Sequence, residues 1–211
     1  MVATDGEPYD PQEDYDGVGA HVDVTEAYLV VQYHPVHSDY QSEYDKAWEV
    51  LTAVEDVGTQ VFWFWPNMDT GNEEISRAIR TFREERDLDS FKFFVNLHPE
   101  DYLRLVNNSA CFVGNSSVGL RECAYLGHPV VNIGSRQQYR ERAENVVDVG
   151  CERAKISAAI RDQMAAGSYP RSTLYGDGNA GQRIKDIILD TDLSIKDSMT
   201  PEQLGLTEWT A

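Results

Sequence analysis

Ala110-Cys111-Phe112-Val113-Gly114-Asn115-Ser116-Ser117-Val118-Gly119-Leu120-Arg121-Glu122 decides how this chain is read. An apolar, β-type run from Ala110 to Val113 breaks at Gly-Asn-Ser-Ser. Apolar residues then return at helical spacing through Leu120, Ala124 and Leu126. The pattern predicts a strand, a tight turn and a helix running to 126 whose first turn carries hydroxyls and glycine. A helix start leaves backbone N–H groups unpaired at the positive end of the helix dipole, which suits phosphate. Glu122 falls within the first two turns, where a carboxylate can accept two hydroxyls of an attached ribose. Together these features suggest a nucleoside diphosphate held at the carboxyl edge of a parallel sheet. Asn, Ser and Gly at a helix start are also what capping alone demands, so both readings stand at this point.

Apolar runs and amphipathic stretches alternate outward from this motif. Strands are predicted at 28–33, 60–65, 91–97, 110–114, 129–133 and 146–149. Helices are predicted at 40–57, with Asp39 as its cap, and at 72–86, 99–106, 154–165 and 179–189. Pro99 suits a first helical turn. Such alternation implies right-handed βαβ units and an α/β fold, a doubly wound, Rossmann-like parallel sheet. Residues 1–27 are rich in Asp, Glu, Gly and Pro and read as an acidic linker or loop. Residues 28–190 read as the domain, and 191–211 as a loose tail.

In a doubly wound sheet the strand–helix joints line one edge, where ligands bind. The candidate residues fall at these joints. His34 follows the first strand, Asn67 and Asp69 the second, His98 the third, Ser116 and Ser117 the fourth, and Arg136 the fifth. His34 can donate a proton or a charge-assisted bond to a phosphate oxygen, whereas His37 reads as exposed. Asn67 can contact ligand hydroxyls or a base, or simply belong to the turn 66–71. Arg136 is the basic residue nearest the proposed diphosphate. The aromatic run Phe62-Trp63-Phe64-Trp65 reads as core packing.

Composition narrows the function. The chain has 211 residues, 41% of them apolar, and a net charge of −18. No segment approaches the roughly eighteen uninterrupted apolar residues of a membrane helix, and residues 1–16 lack the apolar stretch of a secretory signal. Nucleic acids and acidic membranes are poor partners, because both need clustered Lys and Arg. The 36 acidic residues outnumber the basic ones two to one, which fits a salt-adapted cytoplasm as well as a merely acidic protein. Cys111, Cys123 and Cys151 show no metal-ligand spacing and read as buried free thiols in a reducing cytoplasm. No cofactor or metal is expected. With neither Gly-x-Gly-x-x-Gly nor Gly-Lys-Ser/Thr, a dinucleotide site or a P-loop ATPase is disfavoured.

Several motifs in series resemble the UDP-N-acetylglucosamine 2-epimerases. They are Gly114-Asn115-Ser116-Ser117-x-Gly119-x-x-Glu122, then Gly127-x-Pro129-Val130-Val131-Asn132-Ile133-Gly134-Ser135-Arg136-Gln137. Arg142-x-Glu144-Asn145-Val146 and Tyr175-Gly176-Asp177-Gly178-Asn179-Ala180 follow. Tyr33-His34-Pro35 and Pro66-Asn67-x-Asp69-x-Gly71 fit as well. The similarity covers about 28–190 and is nearest the hydrolysing, N-acetylmannosamine-forming branch that feeds sialic acid synthesis. It implies the C-terminal, UDP-holding half of a two-domain GT-B fold. It implies phosphate contacts from His34, Ser116 and Ser117, a ribose contact from Glu122, and further UDP contacts from Asn67 and Arg136. The proton-transfer carboxylates of the family sit mostly in an N-terminal domain. The chain is therefore expected to need that domain or a partner subunit for turnover, and to work as a homo-oligomer in the full enzyme. Two alternatives stay open: a GT-B glycosyltransferase half, and a non-catalytic nucleotide-sugar-binding module.

Overall fold

Tyr28, Leu29, Val30 and Val31 are each no more than 1% exposed, so this stretch is covered on both faces. An unbroken apolar run of this kind is what a central strand of a parallel sheet requires, because helices pack on each side. The computed structural model describes residues 8–36, 43–86 and 88–191. His37 and Asp39, the expected exposed histidine and helix cap, lie outside the described residues, as does the tail from 192 onward. The chain divides between Tyr175 and Gly176 into two compact units. The expected domain at 28–190 crosses that division.

The first unit holds a sheet of seven strands among the described residues. They are β1 (Val18–Gly19), β2 (Tyr28–Gln32), β3 (Gln60–Phe64), β4 (Phe91–Phe94), β5 (Cys111–Gly114), β6 (Val130–Ile133) and β7 (Val146–Val149). Their spatial order is β1-β4-β3-β2-β5-β6-β7. All neighbours pair in parallel except β1, which runs antiparallel to β4. Counted from β2, the six parallel strands follow the order 3-2-1-4-5-6 of doubly wound nucleotide-binding sheets. The order reverses between β2 and β5, where Leu29 pairs with Cys111 and Gln32 with Gly114. The crevice at their carboxyl ends is the topological switch point.

Alternation along the strands splits the core into two layers. Leu29, Val31 and Trp63 face α1 (Glu43–Glu55), α2 (Asn72–Glu85) and α6 (Arg153–Ala166). Tyr28, Val30, Phe62 and Phe112 face α3 (Pro99–Asn108) and α5 (Glu122–Leu126), which follows α4 (Ser117–Leu120). The Tyr28 and Phe62 rings meet edge to face at 5.1 Å. The second unit, from Gly176, contains α7 (Ala180–Asp190). Asp177 precedes it, accepts a bond from the Asn179 N–H at 3.0 Å and pairs with Arg183. Those bonds hold the Asp177 carboxyl well below the usual carboxylate range.

Two expectations need correction. The stretch read as a linker is packed from Tyr9 onward: Val18–Gly19 adds an edge strand, and Tyr9 and Val22 are buried in the α3/α5 layer. Gln12 clips this segment by donating to the Val22 carbonyl at 2.8 Å and accepting from its N–H at 3.0 Å. Tyr15 donates to Asp101 of α3 at 2.7 Å. Isolated plugs such as Tyr9 and Val22, set among acids, carry no periodicity, so composition hid them. The helix expected to run unbroken to 126 is two short helices meeting at Arg121. Gly119 explains the close packing there: a Cβ would lie 2.9 Å from Val130 Cγ1 and 3.2 Å from the Phe112 ring.

Candidate functional site

Gly114 ends β5 with φ +139, and a Cβ there would lie 2.0 Å from the Gln32 carbonyl oxygen. Only glycine permits so close an approach of β5 to β2. The next residue, Asn115, is fully buried and turned back across the switch point. Its Oδ1 accepts the His34 backbone N–H at 2.7 Å, and its Nδ2 donates to the His34 carbonyl at 2.7 Å. Its own N–H donates to the Gln32 carbonyl at 3.1 Å. Its carbonyl accepts Gln137 Nε2 at 2.7 Å and Arg136 Nη1 at 3.2 Å. One side chain and its peptide thus tie together the segments that follow β2, β5 and β6.

The site builds on this hub. His34 is 5% exposed, and its Nδ1 accepts the Asn67 N–H at 3.2 Å. That bond leaves the ring proton on Nε2. Burial, with a further contribution from the Arg136 charge, pushes the imidazole down to about 4. His34 is therefore neutral at pH 7 and offers an uncharged Nε2–H donor, which can still make a charge-assisted bond to an anionic phosphate oxygen. Asn67 Nδ2 donates to Asp69 at 2.7 Å, and Arg136 Nη2 reaches the same carboxylate oxygen at 3.3 Å. Asp69 thereby partly neutralises the one cation in this cluster.

Ser116 caps α4 by position, yet its hydroxyl makes no capping bond. Capping therefore does not account for that hydroxyl, which stays available at the edge. Ser117 is the first residue of α4. Glu122 opens α5, and its Oε2 is buried without a hydrogen-bond partner. Its charge contributes, after burial and Cys123, to raising the Tyr102 phenol well above its ordinary value. Tyr102 in turn donates to Gln32 Oε1 at 2.7 Å. Glu122 accordingly belongs to the α3/α5 side of the same sheet edge.

The structure thus brings His34, Asn67 and Arg136 into one bonded cluster, with Ser116 adjoining Asn115 and Glu122 beside Tyr102. At the joint after β4, the His98 backbone N–H donates to the Tyr15 hydroxyl at 3.1 Å. Sequence reasoning missed Asn115 as the hub, and missed Gln137 and Tyr102. Asn115 is indistinguishable from a capping residue until the order of β2 and β5 is known. Gln137 sits beside Arg136 in a polar loop, and only its burial marks it; its Oε1 is also buried without a partner. Among the described residues no helix is long and apolar enough to cross a membrane.

Comparison with known proteins adds family context. The family model described as UDP-N-acetylglucosamine 2-epimerase matches residues 10–189. A Legionella pneumophila protein named UDP-N,N'-diacetylbacillosamine 2-epimerase (hydrolyzing) is 32% identical over 156 residues, which is 74% of this chain and 41% of that protein. The Escherichia coli polysialic acid biosynthesis protein P7 is 36% identical over 135 residues, 63% of this chain and 34% of its own length. The crystal structure of the Neisseria meningitidis UDP-GlcNAc 2-epimerase bound to UDP-GlcNAc has the same fold. It superposes with a TM-score of 0.61 at 14% identity, over 81% of this chain and 46% of that one. The chain spans less than half the length of these relatives.

Proposed function

Because this chain belongs to the UDP-N-acetylglucosamine 2-epimerase family, we propose that it is the UDP-holding half of a hydrolysing 2-epimerase acting on a UDP-N-acetylated amino sugar. The observation that carries this reading is the convergence at the switch point. An uncommitted Ser116 hydroxyl, a neutral His34 donor, Arg136 and a partnerless Glu122 oxygen all border one sheet edge. The naming of the Legionella relative as hydrolyzing supports the hydrolytic branch.

In this reading the diphosphate lies against Ser116, Ser117 and the first N–H groups of α4, with His34 Nε2 and Arg136 completing the donors. Glu122 accepts the ribose hydroxyls, and Asn67 fixes His34 while bordering the ligand. The C1–O bond breaks with its electron pair leaving on UDP, and the C2 proton goes to a base outside this half. A glycal-like intermediate results, and water adds across it to release the epimerised free sugar. The C2–H is not acidified by a carbonyl, so departure of UDP must carry much of the barrier. Donors aimed at the diphosphate stabilise the charge that builds there, each worth about 3 kcal/mol when well placed. The three free cysteines fit a cytoplasmic setting.

The test is UDP release from UDP-N-acetylglucosamine, measured with this chain alone and with the N-terminal half of a full-length relative added. The expected result is binding without turnover alone, and turnover in the mixture. A folded chain without affinity for UDP contradicts the proposal.

A further inference from the structure

Arg136 is held at the switch point by two long bonds, and each ends on an acceptor that a closer donor already serves. Its Nη1 lies 3.2 Å from the Asn115 carbonyl oxygen, which also accepts Gln137 Nε2 at 2.7 Å. Its Nη2 lies 3.3 Å from Asp69 Oδ2, which also accepts Asn67 Nδ2 at 2.7 Å. Burial separates Arg136 from the hub in the same way. Gln137 is 2% exposed and Asn115 is fully buried, whereas the Arg136 side chain is 27% exposed. The two amides make the close bonds, and the guanidinium is the second donor at each acceptor.

The sharing matters when the guanidinium moves. A buried carbonyl stripped of its only donor is far more costly than one that loses the weaker of two. The Gln137 amide cannot be turned round, because its Oε1 would then face the Asn115 carbonyl oxygen, acceptor against acceptor. Its donor is therefore committed to that carbonyl, although this orientation leaves Oε1 buried without a partner. The Asn115 carbonyl thus stays satisfied whether or not Arg136 remains on it. A guanidinium held by two long bonds leaves readily for a pyrophosphoryl group, which offers closer, charge-assisted ones.

We infer that Arg136 is parked in the unliganded site and swings from the Asn115 carbonyl to the diphosphate, and that Gln137 is the positioning residue that releases it. Asn67 does the same at Asp69. The inference rests on the function proposed above and adds a movement to it, with a role for Gln137 that needs no contact with the ligand.

A double-mutant cycle on the full chain tests this, with UDP affinity read by calorimetry for Arg136→Ala, Gln137→Leu and the two combined. In Gln137→Leu a departing guanidinium strips the carbonyl of its last donor, so Arg136 stays and its bond to UDP is lost. Each single variant is expected to bind UDP about tenfold more weakly, and the double variant to fall less than about threefold below either. An additive loss of about a hundredfold in the double variant overturns the inference and leaves the UDP site standing. Exchange of the Arg136 guanidinium protons with water, followed by NMR, separates release from mere support of the loop. Pinning slows that exchange at least about twofold in Gln137→Leu relative to the parent. Equal or faster exchange marks a loosened loop and overturns the inference. The parent chain supplies a check that needs no variant: saturating UDP shifts the Arg136 Nε resonance and leaves the Gln137 side-chain amide in place. An unmoved Arg136 resonance in the UDP complex overturns the inference. A folded chain that binds no UDP overturns the function proposed above, and the swing with it.

Discussion

His34 and Asn115, 81 residues apart in the chain, exchange two hydrogen bonds of 2.7 Å across the switch point of the sheet. The asparagine side chain imitates a strand neighbour: it accepts from one peptide N–H and donates to the carbonyl of the same residue. This joins β2 to β5 one step beyond the end of their ladder. It also sets the position of the His34 ring, which Asn67 then fixes from the other side.

Asn115→Ala removes both bonds and leaves a buried N–H and a buried carbonyl without partners. Each orphaned group costs about 1–3 kcal/mol, so the variant should lose about 2–6 kcal/mol in urea unfolding. A loss below about 1 kcal/mol would mean that water replaces the amide without difficulty.

Ser116→Ala separates a ligand role from a capping role. The hydroxyl makes no capping bond, so stability should stay within about 0.5 kcal/mol of the parent, whereas a lost cap typically costs about 1 kcal/mol. Affinity for UDP should fall about tenfold, the value of one charge-assisted donor bond. An unstable variant with unchanged UDP affinity would return Ser116 to a structural role.

Asp69→Asn should strengthen UDP binding. The carboxylate holds Arg136 at 3.3 Å, and both side chains are roughly a quarter to a third exposed (27% and 31%). Such partly exposed pairs are worth about 0.2–1 kcal/mol. Releasing Arg136 therefore gains up to about fivefold in affinity, read by calorimetry. Weaker binding would show that Asp69 positions Arg136 more than it competes for it.

Acid should destabilise the fold through two buried imidazoles. Burial and the Arg136 charge bring His34 to about 4, and burial alone brings His128 to about 4, where Ser109 Oγ meets its Nε2 at 2.9 Å. The ordinary value is about 6.5, so between pH 6.5 and 4 the unfolded chain binds more protons than the folded one. Stability is therefore full above 6.5 and falls with pH through that window, by about 2 kcal/mol per imidazole at pH 5. His128→Gln should visibly flatten the slope between pH 7 and 5, and an unchanged slope would place the effect elsewhere.

Much of this was readable from sequence, and the failures have physical causes. The strand at 28–33 and the helix at 72–86 emerge within a residue or so, because buried runs and amphipathic stripes are local signals. The positions of His34 and Arg136 at the sheet edge follow from strand–helix alternation. What remained hidden depends on contacts distant in sequence. Asn115 needs the β2/β5 neighbourhood to be seen as a hub. The protonation of His34 depends on its burial and on Asn67 and Arg136. Tyr9 and Val22 are single plugs without a pattern around them. The break at Arg121 and the close packing of Gly119 on Val130 and Phe112 leave no mark on helical periodicity.

The most direct test of the nucleoside-diphosphate grip is a titration of the isotope-labelled chain with UDP, followed by the amide resonances. The account predicts saturable shifts concentrated at Ser116, Ser117, His34, Asn67, Arg136 and Glu122, the two edges of one crevice. Absence of saturable shifts, or shifts gathered away from the carboxyl ends of β2 and β5, would contradict it.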